Sequence, residues 1–300
     1  RSGIGGAGVL RDRARALLRV AQSRSRVWRF GLGGSCMSGN PAPPVAPRPK
    51  VRFGDFDVDC VSRADLTRLA LADCSHPVGR PRLVFDVNGH ALSLARTSPE
   101  YRKSAALADI VHADGGFIVT LSRFGDRNAI PERSATTDVI HDLASAFEVT
   151  GFSFFLLGGE ERVNRECSDI LRQNYPRLAI AGRRNGFFSS EQEREVVEAI
   201  NAANPDVLWV GLGKPKEQQF CIRWRDQLKA KWLITCGGCF NYITGDYGRA
   251  PIWMQKGNLE WVYRLATNPR KLFWRYAVTN PHALWIAARD TFRSTSGAGR

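Results

Sequence analysis

The chain has 300 residues, 43% of them apolar, with 43 Lys/Arg against 29 Asp/Glu for a net charge of +14. That supports a real core in one large or two small domains, and no run approaches the ~18 consecutive apolar residues that a bilayer-crossing helix needs. The charge is unevenly placed: ten Lys/Arg and one acid lie in residues 1–50, nine Lys/Arg and two acids in residues 247–300, and the centre is near neutral. Two basic ends suit an anionic surface or an anionic lipid at least as well as nucleic acid.

The first methionine is Met37, and residues 1–36 are Arg-rich and poor in acids. They read as upstream sequence outside the working protein, with a basic amphipathic arm or a transit-like segment as the alternatives. Pro41, Pro43, Pro44, Pro47 and Pro49 make residues 38–50 a flexible linker, so residues 1–50 are expected to be disordered.

From about Val51 strand and helix signals alternate. Arg82 to Val87 is predicted to be a strand, and Ser98-Pro99 opens a helix through Ala106, Ser as N-cap and Pro at the first position. Asp109 to Ala113 is a short strand that ends at Asp114-Gly115-Gly116. A helix over Thr137 to Val149 is stopped by Gly151. Phe152 to Leu157 is a buried strand leading into Gly158-Gly159, followed by a helix over Glu160 to Asn174 and a strand over Leu178 to Ala181. Ser190 and Glu193 form a capping box for a helix through Ala202. The strand Asp206 to Val210, the amphipathic run Gln219 to Leu228 and the strand Lys231 to Thr235 complete the series. Repeated βα units at this spacing predict an α/β fold over residues 51–246, a mainly parallel, Rossmann-like sheet covered by helices.

After Gly245 the character changes. Trp253, Trp261, Trp274 and Trp285 fall among Arg249, Lys256, Arg264, Arg270, Lys271 and Arg275, and Pro269 and Pro281 cut the segment into short helices. Residues 247–290 are expected to be a basic, aromatic C-terminal helical appendage, and residues 291–300 a disordered tail. Rings and cations mixed on short amphipathic helices suit a membrane interface. Packing on the sheet with the cations solvated is the alternative, and the two are compatible.

The seven cysteines are scattered, which points to a reducing compartment. Cys236 and Cys239 form a C-x-x-C without a second ligand pair, interleaved with glycines. Small residues filling a tight site explain them better than zinc or redox chemistry.

The turn Gly211-Leu212-Gly213-Lys214-Pro215-Lys216-Glu217-Gln218 carries the most information. A glycine turn between a strand and a helix lets backbone approach a phosphorylated ligand at a helix N-terminus. Lys214 and Lys216 add positive charge, and Glu217 and Gln218 offer groups that read a sugar or ribose hydroxyl. An ordinary βα loop is the competing reading. Pro215 after Lys214 rejects a P-loop.

Several segments, in order, resemble one family. They are Asn88 after the first strand, Asp114-Gly115, Arg133 before Thr137-Asp138, Leu-Leu-Gly-Gly at 156–159, and Gly186-Phe187-Phe188. The turn at 211–218, Gly237-Gly238-Cys239-Phe240, Arg-Ala-Pro-x-Trp-Met at 249–254, Leu259-Glu260-Trp261, Tyr263-Arg264-Leu265 and Pro269-Arg270 complete the set. From about Val84 to Leu284 the chain resembles the WecG/TagA/CpsF glycosyltransferases of bacterial surface-polysaccharide synthesis. Departures are Asp86-Val87-Asn88 where the family often has Thr-Pro-Asn, Thr136 for a Gly, and Asn241 for an Asp.

The resemblance implies transfer of a hexose-type sugar, of N-acetylmannosamine or glucose type, from a UDP-sugar to a polyprenyl-pyrophosphate-linked saccharide. It implies inversion at the anomeric carbon, no metal and no other cofactor. It assigns Asp114 as catalytic base, a role that suits a strand's carboxyl end; a helix N-cap is the bland alternative. Asn88 is expected to bond a sugar, with helix capping again the alternative. Gly158, Gly159, Gly211 and Gly213 are expected to admit the nucleotide. Arg133, Arg249 and Arg264 are expected to meet the leaving diphosphate, against surface charge or pairing with Glu260. His112 is read as strand packing. Asp55, Asp57 and Asp59 have metal-pair spacing but lie upstream of the matched segments. The expected partners are the donor, the lipid-linked acceptor and an anionic membrane, with no nucleic acid and with homo-oligomers allowed. The expected location is the cytoplasmic face of the plasma membrane. A basic, non-catalytic nucleic-acid-binding adaptor is the rival from another class.

Overall fold

The computed structural model describes residues 48–76, 79–123 and 128–251, together with residues 253, 254, 262, 263 and 266. The expected N-terminal arm, most of the expected C-terminal appendage and tail, and Arg264 lie outside the described residues.

Strands β1 (Lys50–Phe53) and β2 (Phe56–Asp59) form an antiparallel hairpin. Six further strands build one parallel sheet: β3 (Arg82–Val87), β4 (Ile110–Ala113), β5 (Ser153–Gly158), β6 (Ala179–Arg184), β7 (Val207–Gly211) and β8 (Trp232–Thr235). Their order is β4-β3-β8-β7-β5-β6, and every neighbouring pair is parallel. The helices are α1 (Arg63–Ser75), α2 (Gly89–Thr97), α3 (Pro99–Ala105), α4 (Gly116–Ser122), α5 (Thr136–Thr150), α6 (Glu161–Asn174), α7 (Glu193–Ala203), α8 (Lys216–Trp224) and α9 (Cys239–Thr244).

The sheet is covered on both faces, which is why its central strands read as continuous apolar runs. Along β7 the alternation of side chains sends Trp209 into the cluster with Phe147, Phe154 and Trp232, and Leu208 and Val210 into the opposite cluster with Val196, Ile200 and Phe220. A third cluster joins the hairpin residues Phe53, Phe56 and Val58 to α2, α3 and α4.

The hairpin closes one edge of the sheet. Buried Asp59 accepts the Val111 N–H of β4 at 2.8 Å and the Arg48 Nε at 2.9 Å. The edge strand is thereby denied a free template for further pairing. Asp57 pairs with Arg52 at 2.9 Å, so the Asp-x-Asp spacing serves the hairpin's own ion pairs.

The predicted parallel α/β sheet is present, and the differences are local. The capping box lies one residue earlier than expected, between Ser189 and Gln192, because a 3-10 turn at Ser190–Gln192 precedes α7. Helix α8 begins at Lys216 instead of Gln219 and ends at Trp224 instead of Leu228. The hairpin, α1, α2 and α4 are not among the elements expected from sequence, although Ser62 and Asp65 form a capping box for α1 and Asn88 caps α2.

The strand order positions the site. Chain passes outward from β3 to β4 at one edge and from β5 to β6 at the other, and β7 and β8 fill the middle. The carboxyl ends of β4, β3, β8 and β7 therefore surround the crevice where open α/β sheets bind ligands.

Candidate active site

Strands β3 and β4 pair Asp86 with His112 and Val87 with Ala113, so the next residues, Asn88 and Asp114, emerge side by side. The N–H groups of Asp114 and Gly115 both donate to the Val87 carbonyl, at 2.9 and 3.0 Å, and pin this turn.

Asn88 caps α2 by accepting the Ala91 N–H through Oδ1 at 3.2 Å. Its Nδ2 donates to Asp86 Oδ2 at 3.1 Å and to Asp114 Oδ2 at 3.2 Å. These three partners fix the orientation of the amide, since two carboxylates require the NH₂ end and a backbone N–H requires the oxygen. The capping reading of Asn88 is therefore correct, and it is half of what the side chain does.

Asp114 does not cap a helix. Gly115 occupies the N-cap of α4, which receives no side-chain hydrogen bond. The Asp114 carboxylate instead faces Asn88 and, at 3.5 Å from Oδ1, Arg133, while its side chain keeps 17% exposure. Arg133 also donates its Nε to the Asp114 carbonyl at 2.7 Å. The loop carrying Arg133 is tied to β4 by Ser134, whose N–H donates to the Ala113 carbonyl at 2.8 Å. The carboxylate is partly open to a solute, held from two sides and placed at a strand's end.

Lys214, expected to present charge to a phosphate, turns inward. Its Nζ donates to both Asp86 oxygens at 2.7 and 2.6 Å and lies 3.6 Å from Glu217, with 6% of the side chain exposed. Burial alone would strip its proton, but Asp86 and Glu217 beside it hold the ammonium well above the ordinary lysine range. Burial opposes ionisation of Asp86 too, and Lys214 outweighs it and holds the carboxyl below the usual range.

Glu217 and Gln218 are fully buried and do not face an open crevice. Glu217 Oε2 accepts the N–H groups of Gly213 and Gly237 at 3.1 and 3.0 Å, and Oε1 accepts Gln218 Nε2 at 3.3 Å. The first turn of α8 rotates both side chains under the loops that follow β7 and β8, because the helix starts three residues earlier than expected. Lys216, at that helix start, is exposed. Pro215 occupies the N-cap after a cis peptide bond from Lys214.

The glycines divide by role. A Cβ at Gly158, whose φ is +130°, would lie 2.2 Å from the Gly211 carbonyl oxygen, so Gly158 lets β5 pack against β7, and a Cβ at Gly211 would lie 2.9 Å from the Gly237 carbonyl oxygen, so Gly211 lets β7 pack against the loop after β8. Gly159 donates its N–H to the Gly211 carbonyl at 3.2 Å. A Cβ at Gly213, whose φ is +77°, would meet nothing within 4 Å among the described residues, so there this glycine borders open space. Cys236 and Cys239 are buried free thiols in the core beside Gly211, as expected of small packing residues.

Arg249 reaches back to α5 and pairs with Asp138 at 2.8 and 3.3 Å. Burial opposes ionisation of Asp138, and Arg249, Arg63 and Arg133 together hold its carboxyl below the usual range.

Three polar residues of this crevice are not marked as site candidates by the sequence: Asp86, His112 and Thr235. Each is buried at or near a strand's carboxyl end, Thr235 donating to Asp86 at 3.3 Å and His112 bonding Ser134 Oγ through Nδ1 at 3.1 Å. Their signal is a single polar residue in a four- to six-residue apolar strand, which packing alone also produces. Two other clefts lie elsewhere. One is lined by Lys50, Asp57 and Arg102 at the hairpin edge, the other by Arg80, Asp109 and Arg225 near the opposite ends of the strands.

Among described residues no helix is long and apolar enough to cross a membrane. The chain is 29% identical over 215 residues to the N-acetylglucosaminyldiphosphoundecaprenol N-acetyl-beta-D-mannosaminyltransferase of Bacillus subtilis strain 168, covering 71% of this chain and 82% of that one. Similarity to the enzyme of the same name from Bacillus spizizenii W23 is 29% over 187 residues, 62% of this chain and 71% of that one. The Glycosyl transferase WecG/TagA/CpsF family profile matches residues 51–297, the whole α/β sheet and the segment after it, and the chain belongs to that glycosyltransferase family.

Proposed function

We propose that this chain is an inverting glycosyltransferase that moves a hexose-type sugar from a UDP-sugar to a saccharide carried on polyprenyl pyrophosphate, at the inner face of the membrane. The observation that supports it best is Asp114, a partly exposed carboxylate at the end of β4 held by Asn88 and Arg133 and free of any capping duty.

In a single displacement, Asp114 takes the proton from the attacking acceptor hydroxyl as that oxygen bonds the anomeric carbon and UDP leaves. A base of this kind contributes about 10²–10⁴-fold. Double displacement needs a side chain as covalent nucleophile, for which a carboxylate is one candidate. The neighbouring Asp86 is 4% exposed and occupied by Lys214, which favours the inverting route. Developing charge on the diphosphate calls for cations, and Arg133, Arg249 and Arg264 are the proposed ones. Gly213 and Lys216 border the proposed nucleotide side, while Gly158, Gly159, Gly211, Lys214, Pro215, Glu217 and Gln218 support the loops from behind. Asn88 serves Asp114 first, with any sugar contact made from its remaining accessible edge.

The names of the two Bacillus relatives support an N-acetylmannosaminyl donor and an N-acetylglucosaminyl diphospholipid acceptor. The test is a panel of UDP-sugars with such an acceptor, the product's anomeric configuration being read by NMR. Transfer with inversion supports the proposal. Retention of configuration, or no transfer from any UDP-sugar, overturns it.

A further inference from the structure

We propose that the buried Asp86–Lys214 ion pair is the positioning device of this site, acting through Asn88 to hold Asp114 in its working orientation. The inference rests on the reading of Asp114 as the base.

The pair joins residues 128 apart in sequence across the width of β8, from the loop after β7 to β3. Both side chains are almost fully buried, 6% and 4% exposed. A buried ion pair is a poor way to stabilise a fold, because an apolar pair of similar size does as well or better. Its geometry serves something else. Asp86 receives Lys214 on both oxygens, Thr235 on Oδ1 and Asn88 on Oδ2. Lys214 is itself steadied by Glu217, whose carboxylate ties down the N–H groups of Gly213 and Gly237 on either side. The Asn88 amide therefore has one fixed acceptor on the buried side and one on the open side, and the second is Asp114 Oδ2 at 3.2 Å. That leaves Oδ1 facing Arg133 at 3.5 Å. Buried His112, whose Nε2 has no hydrogen-bond partner among the described residues, and Ser134 complete the floor. The amide that aims the carboxylate is thus itself aimed by the pair.

The experiment is a cycle of variants assayed with the UDP-sugar that turns over in the donor panel and a diphospholipid acceptor. Asp86→Leu/Lys214→Met removes both charges and leaves apolar side chains. We expect it to fold, to keep the donor KM, and to lose about 10²-fold in kcat, the scale of an ångström-level misplacement of a reacting group. In an Asn88→Ala background the same double change should cost nothing further, because the link is already cut. Should that variant not fold, Asp86→Asn/Lys214→Gln keeps a neutral hydrogen-bonded pair and should still lower kcat about tenfold, since one amide oxygen replaces two carboxylate oxygens as the acceptor. A folded variant with parental kcat, a loss confined to KM, or losses that multiply in the Asn88→Ala background would overturn the inference. Asp114→Asn run beside them separates the two claims. If it stays active, the base assignment fails; if it is inactive while the pair variants are parental, only the positioning role fails.

Discussion

Asn88 donates to Asp114 across the seam between β3 and β4, at 3.2 Å, while its other end caps α2 on the Ala91 N–H. One side chain thus starts a helix and holds the carboxylate that stands at the end of the next strand.

Its two duties should separate by mutation. Asn88→Ala loses the cap, worth about 1 kcal/mol of stability, and the amide donor to Asp114. Asn88→Asp keeps a capping oxygen but loses the amide donor and sets a third carboxylate beside Asp86 and Asp114, where like charges repel. Thermal unfolding should show Asn88→Asp closer to the parent than Asn88→Ala, with turnover depressed in both. Recovery of turnover in Asn88→Asp would show that only the cap matters.

The two glycine types should respond differently to a methyl group. Gly158→Ala forces a Cβ to 2.2 Å from the Gly211 carbonyl at a φ of +130°. Strain and overpacking combined should destabilise on the order of 3 kcal/mol or more. Gly213→Ala meets open space at φ +77° and should cost only about 1 kcal/mol. Urea midpoints measure both, and equal losses would contradict this division.

Stability should fall as the pH drops below the ordinary histidine value. His112 and His141 are both lowered from 6.5, chiefly by burial, so the unfolded chain binds their protons first. Their stabilising contribution is complete above 6.5 and is lost as the pH falls from there through the folded values. Asp86 and Asp138, lowered from 3.8, act in a separate and more acidic window. Glu217, raised from 4.5 by burial, works in the opposite sense, its contribution lost as the pH rises through its folded value. Chemical denaturation between pH 7 and 5 should therefore show a slope that flattens in His112→Gln/His141→Gln. An unchanged slope would remove the histidines as its cause.

The sheet is legible in the sequence because βα alternation, caps such as Ser98 and stops such as Gly151 are local signals. Gly151 indeed ends α5 at φ +77°, and Ser98 caps α3. The hairpin is not legible: its four-residue strands are stabilised by Asp59 reaching Val111, a contact 52 residues away. In the site, Asp114, Asn88 and Arg133 stand out as candidates and do converge. Lys214, Glu217 and Gln218 stand out as well, but with the wrong orientation. The glycine turn indicates a loop but not where α8 begins, and a three-residue change in that start turns these side chains from the crevice to the core. Asp86 gives only the weak signal of a polar residue in an apolar strand, because its partner, Lys214, is distant in sequence.

The C-terminal segment is expected to serve both the membrane and the reaction. Arg249, paired with Asp138 on a partly exposed surface, should contribute under about 1 kcal/mol to stability. Deletion from Tyr247 onward should weaken binding to anionic vesicles, each cation near such a surface being worth about 1 kcal/mol. It should also slow transfer to a water-soluble acceptor analogue. Arg264→Ala alone should slow transfer while vesicle binding holds. Full-rate transfer by a folded truncated protein would make the segment an anchor only.

The most direct measurement is the turnover of Asp114→Asn, with folding checked by thermal unfolding. The change keeps the shape of the side chain and one of its two acceptor contacts, to Asn88 or to Arg133, and removes the base. Near-parental unfolding and a fall in kcat of about 10²–10⁴-fold are expected, whereas a folded variant keeping more than about a third of parental turnover would remove Asp114 as the base.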